Sequence, residues 1–365
     1  MPGSPIPALD PAPLPGPPWL FHALWLLTFF IHLVFMNVVL GGSILAAVVG
    51  TRDIGRDTRT FFVETNSWAI SLAITFGIAP LLFVQVLFGR FFYSATILVA
   101  WYWLGLLVLL TVAYYLNYVA KHRLKNGQPV SLVLWIETAC FVAIAAIQVA
   151  VNLLQLQPGR WATVAASSFA AFLDPSFLPR FLHFVLAAVT LAAALLAFVG
   201  VRRAGSGYET SLCRDMAKFG VATALYATVA QIVVGISMLL ALPGDVLRAF
   251  MRGGAATMIP LTIAILAAIG LVLVLARIRD PLESPRLVRH AAELIVGAMV
   301  VMVITRHQLR GLYLAPARAT ESMTVKPQWD AFALFLVVFV LCVGLTVWAV
   351  ARSLRDRPAP GEKGA

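Results

Sequence analysis

Apolar runs long enough to cross a bilayer recur along the whole chain, broken by short polar stretches that hold most of the charge. A helix needs about 20 mostly apolar residues to span the hydrocarbon layer. The pattern predicts nine such spans, at about 19–50, 66–89, 93–119, 130–156, 178–201, 215–242, 250–276, 288–305 and 330–352. The expected fold class is therefore all-α, a polytopic transmembrane helical bundle. One membrane domain, 19–353, lies between a Pro-rich N-terminal tail, 1–18, and a C-terminal tail, 354–365. The longest stretch expected outside the spans is 306–329.

Composition supports this. The chain is 61% hydrophobic and 12% charged, with a mean hydropathy of +0.90; soluble domains carry about 25% charged residues. The opening MPGSPIPALDPAPLPGPP contains no Lys or Arg, so it reads as an extended polyproline-like tail and not as a secretory signal. Cys140, Cys213 and Cys342 form no CxxC or CxxCH, which argues against disulfides, iron–sulfur ligation and covalently attached haem. They are expected to be packing residues.

The net charge of +11 forms no patch of the kind that binds nucleic acid. It sits between the spans, eighteen Lys and Arg on one set of loops and nine on the other. The basic side is cytoplasmic, which places the N-terminus outside and the C-terminus in the cytoplasm. Opposite ends agree with an odd number of spans. Motifs of zinc hydrolases, nucleotide-driven pumps, serine hydrolases and dinucleotide enzymes are missing from the sequence.

The candidate chemistry lies in polar residues at bilayer depth, where each needs a partner or a task. His32 sits mid-span in LLTFFIHLVFMNVVLGG, with His22 at the outer end of the same span. Each is either a hydrogen-bonded core or interfacial residue or a ligand. His183 lies at the outer end of span five, three residues after Arg180 in PRFLHF. A cation there suits haem propionates. Met251 and Met258 flank Gly253 and Gly254 at the start of span seven, on the same side of the membrane. A thioether is a soft axial ligand and also a common core filler. Glu137 and Glu293 fall in the cytoplasmic halves of spans four and eight and are candidates for a proton path. RHQLRG, 306–311, reads either as the start of a solvated loop or as a clamp for propionates or an acidic partner, with Arg306 and His307 as its candidates. Gln85, Gln148, Asn152 and Gln231 are expected to bond between helices.

The order of these features resembles the large haem-bearing subunit of cytochrome bd quinol oxidases. FFIHLVFMNVVLGG is similar to that family's first span, FGIAPLLFVQVLFGRFFYS to its second, and LWIETACFVAIAAIQVAVNLLQLQP to its fourth. LDPSFLPRFLHFVLAAV resembles the run into its fifth, with Pro175, Arg180 and His183 at matching spacing; TRHQLRGLYL echoes its Gly-Arg-Gln-Pro-Trp segment. The resemblance implies nine spans, an outer N-terminus and haems near the outer face. It implies His183 and Met258, or Met251, as axial ligands of a low-spin haem b, and His32 as ligand of a second haem. Arg180, Arg252 and Arg306 would hold propionates, with His22 and His307 nearby. The chain departs from the family in having no Asp or Glu in 91–120, where the family carries glutamates, and only LPGDVLRAF where the family has a long quinol loop.

The expectation is a haem b-binding subunit of a respiratory complex in a bacterial inner membrane. It would pass electrons between the quinone pool and an outer-face redox partner such as a c-type cytochrome. The alternatives are a terminal quinol oxidase subunit, or a haem-free membrane anchor or transporter on the same fold.

Overall fold

The computed structural model describes residues 6–8, 12–50, 53–318 and 324–355. Eleven α-helices run in chain order: α1 (Pro18–Val48), α2 (Asp53–Leu98), α3 (Ala100–Lys125), α4 (Ser131–Leu156), α5 (Trp161–Ala166), α6 (Phe177–Ala204), α7 (Thr210–Leu240), α8 (Gly244–Arg252), α9 (Ala255–Arg277), α10 (Pro285–Arg318) and α11 (Trp329–Arg355). Eight of them are long and apolar enough to cross a membrane: α1 to α4, α6, α7, α9 and α10. The chain is an all-α, multi-pass membrane protein. The ninth expected span coincides with α11, whose apolar run within the described residues is Trp329–Leu345.

Several boundaries differ from the sequence expectation, each for a physical reason. The gap expected at 90–92 does not exist, because α2 continues to Leu98 past a kink at Phe88 (φ −139°, ψ 26°). Span seven is broken in two. Gly254 takes φ 68°, a conformation that favours glycine, and divides α8 from α9. Span eight continues thirteen residues beyond its expected end at 305, to Arg318. RHQLRG is therefore part of a helix, and the expected loop start is replaced by three further helical turns.

The residues form two compact units. One comprises 1–9 and 22–321. Its centre is built on close backbone approach between helices rich in small residues, the packing that lipid-embedded helices favour. A side chain at Gly220 of α7 would run into Ala193 and Ala197 of α6, one at Gly200 of α6 into Cys213 and Ala217 of α7, and one at Gly41 of α1 into Ala188 of α6. Cys140 and Cys213 are buried here without a disulfide.

The other unit comprises 10–21 and 322–365. In it Leu14 pairs with Val325, Lys326 N–H donates to the Leu14 carbonyl (2.8 Å) and Gln328 N–H to that of Pro15 (2.9 Å). Leu14 and Pro15 of the Pro-rich tail are thus pinned by backbone bonds. The expected C-terminal tail from 356 onward lies outside the described residues.

Candidate functional site

The α4–α6 connection sets the mouth of the His183 helix. Asp174 accepts a hydrogen bond from the Ser176 backbone N–H (2.7 Å) and an ion pair from Arg160 (2.7 Å), while Arg160 also donates to the Ala170 carbonyl (2.8 Å). Trp161 donates to the Leu154 carbonyl (2.9 Å), and Ser176 Oγ to that of Ala241 at the end of α7 (2.9 Å). An otherwise irregular segment is fixed by side-chain bonds to backbone, so α6 starts at a defined place.

From that start, Arg180 and His183 point into the bundle, both half-buried. The His183 ring lies against Gly235 of α7; a Cβ there would sit 3.3 Å from its Cε1. Gln231 Nε2 approaches His183 Nε2 at 3.4 Å, and His183 Nδ1 is buried with no protein partner. The Nε and one Nη of Arg180 are likewise buried and unpartnered.

The extension of α10 supplies the rest. Arg306 lies over the Phe29 ring (4.7 Å), and Arg310 lies over Trp25 (5.0 Å) and Phe88 (4.9 Å). Arg310 is 3% exposed, and its one polar contact among the described residues is a long one, 3.4 Å, to Gln155 Oε1. Arg180, Arg306 and Arg310 are near enough to act on one another's charge. Among the described residues no carboxylate forms an ion pair with any of the three; Asp174 acts on Arg180 from farther off and is itself paired with Arg160. Aromatic faces contribute some compensation to a guanidinium. They do not neutralise it, and Arg does not shed its proton in proteins. Beside these cations His22 and His307 face each other, ring centroids 4.9 Å apart, each with a buried, unpartnered Nδ1.

His32 is set differently. Its Nδ1 lies 2.8 Å from the Ala73 carbonyl oxygen on α2. A carbonyl only accepts, so Nδ1 carries the proton and Nε2 presents its lone pair. Gly77 leaves the space the ring fills, since a Cβ there would come within 2.9 Å of His32 Cε1.

The structure therefore brings together Arg180, His183, Arg306, His22 and His307, and with them Arg310, the second arginine of RHQLRG. The signal for Arg310 is the i, i+4 spacing to Arg306, which places both on one face once α10 is known to continue. Met258 is half-buried in the first turn of α9; Met251 is 52% exposed, and Arg252 is exposed at the end of α8. Glu293 is exposed, paired with Arg289 (3.4 Å) and His290 (2.9 Å) of its own helix. Glu137 is buried at the α2–α3–α4 contact, away from these groups in the element order and bonded to Asn117.

The residues fit a haem: a histidine with its proton fixed on Nδ1, another against a glycine, and buried guanidiniums that lack an anion. A backbone carbonyl that accepts the other ring N–H is a usual second partner of a ligating imidazole.

No family model matches the chain, and no curated protein matches it. Among solved structures, a chain of the bd oxidase from Geobacillus thermodenitrificans has the same fold, with a TM-score of 0.66 at 15% sequence identity, over 93% of this chain and 98% of that one. The bd-oxidase-like architecture expected from the sequence is the architecture observed.

Proposed function

We propose that the protein is a haem b-binding subunit of a respiratory electron-transfer complex in a bacterial inner membrane, working between the quinone pool and an outer-face redox partner such as a c-type cytochrome. One observation carries the reading: three guanidiniums gathered beside His183, none of them in an ion pair with a carboxylate, the one nearby acid, Asp174, being already paired with Arg160. Buried like charges of this kind call for an anion, and the two propionates of a haem are anionic and planar-carboxylate in form, suited to Arg. The bd-oxidase fold supports it.

In this reading the His183 imidazole would hold the iron, with Met258 of α9 as the favoured second ligand and Met251 as its substitute. Arg180 and Arg306 hold the carboxylates, with Arg252 available at the surface and His22 and His307 lining the cluster. His32, held by Ala73, offers Nε2 to a second haem. The bound group supplies one-electron transfer. The chain fixes its depth, keeps water from it and sets the charge around it, which are the protein's levers on potential.

Reduced-minus-oxidised and pyridine haemochrome spectra of the purified chain test this. A b-type α-band with one or two haems per chain is expected. Well-folded protein from haem-replete cells that carries none would refute it and leave the anchor or transporter reading. A second reading, oxygen reduction with quinol, is favoured by the lone pair that His32 presents mid-span. It requires a red-shifted chlorin band and quinol-dependent oxygen uptake.

A further inference from the structure

Glu137 is the most deeply buried acid among the described residues, 1% exposed on α4. Its Oε1 accepts a hydrogen bond from Asn117 Nδ2 of α3 (3.1 Å), and Asn117 Oδ1 in turn accepts one from Ser67 Oγ of α2 (3.0 Å). Its Oε2 is buried with no partner. No cation lies within ion-pair reach of it among the described residues. The groups that face it are Asn117 and, one turn on along α4, the Cys140 thiol. Next to it Thr138 donates to the Ser43 carbonyl of α1 (3.0 Å). The other helices packed on α4, namely α2, α6 and α10, bring no charged group against it.

An ionised carboxylate in such a place costs far more than a neutral acid, because nothing returns the lost hydration. The cheapest occupant that removes the charge is a proton. Asn117 decides where it sits. With an N–H donor on Oε1, the proton belongs on Oε2, the oxygen left without a protein partner. Ser67 Oγ, whose proton is shared between Asn117 Oδ1 (3.0 Å) and the Val63 carbonyl (2.9 Å), favours the amide orientation that makes this so. We propose that Glu137 is a proton-binding site inside the membrane domain, a carboxylic acid whose Oε2 proton exchanges with solvent and whose geometry Asn117 sets. The site lies on other helices than the arginine cluster and does not depend on a haem.

Infrared spectroscopy of the purified full chain in lipid at neutral pH tests this. The carbonyl stretch of a protonated carboxylic acid should appear above the amide band, shift down in D2O and vanish in Glu137→Gln, which keeps the shape and the Asn117 contact. Asn117→Ala should move the stretch upward, because Oε1 loses its donor. No loss of the band in a folded Glu137→Gln protein would overturn the proposal. A band that fails to exchange in D2O would make Glu137 a sealed structural acid and overturn it too. Bleaching by sodium at fixed pH would replace the proton with a metal cation and overturn it equally.

Discussion

Two buried charge problems sit in this bundle, and the chain meets them in opposite ways. Around Arg180, Arg306 and Arg310 the charge is permanent, since a guanidinium keeps its proton at any pH the protein meets. In the proposed reading, relief comes from outside the chain, as an anion. At Glu137 the charge is optional, because a carboxylate can bind a proton and become neutral in place. The difference separates a site built for a ligand from one that completes itself. It also predicts that substitutions at the two places respond differently to what the protein has bound.

The largest effect is expected at His183, the proposed haem ligand. His183→Ala should remove the b-type α-band of the low-spin haem while leaving helical content by circular dichroism unchanged. An unaltered spectrum would assign that ligand elsewhere and weaken the contrast at its source. Next comes a change of sign. Arg306→Met or Arg310→Met removes one of several crowded cations. In haem-free protein this should be neutral or stabilising, by about 1–4 kcal/mol. In haem-loaded protein the same change deletes an anion's partner and should lower the thermal midpoint. Thermal scans of both forms measure it, and equal destabilisation in the two would show that the cations are neutralised some other way.

The self-completing site should be quieter. Glu137→Gln keeps an uncharged, isosteric group and should cost less than about 1 kcal/mol in thermal unfolding, whereas Asn117→Ala strands the buried Glu137 Oε1 and should cost about 1–3 kcal/mol. If Glu137→Gln is as damaging as Asn117→Ala, the carboxylate is ionised in the folded protein and the comparison fails.

What the sequence could say about these sites follows from their physics. Span count and fold class rest on long apolar runs, which no local detail disguises. His183 and Arg180 were legible because a proline-rich turn, a cation and an imidazole fall within one short run. The helical setting of RHQLRG was not, because three arginines and a histidine in 306–318 look like loop composition. Their hydrophobic cover comes from Trp25, Phe29 and Phe88, which are distant in sequence. Asn117 escaped for a related reason. A lone amide in an aromatic-rich span acquires meaning only through Glu137, twenty positions on and on another helix. The break at Gly254 was visible as a glycine pair, but not the positive φ that splits the span.

The smallest effect is expected at the other carboxylate. Glu293 and Glu137 look alike in sequence, each a lone acid in an apolar span, yet Glu293 turns outward and bonds Arg289 and His290 within its own helix. Such exposed i, i+3 and i, i+4 pairs contribute only about 0.2–0.5 kcal/mol each. Glu293→Gln should therefore shift the thermal midpoint hardly at all, leave the spectrum untouched and leave the acid carbonyl stretch in place. A loss of that stretch on changing Glu293 would move the proton site from the buried acid to the exposed one. Burial without a counter-ion would then no longer distinguish the two carboxylates.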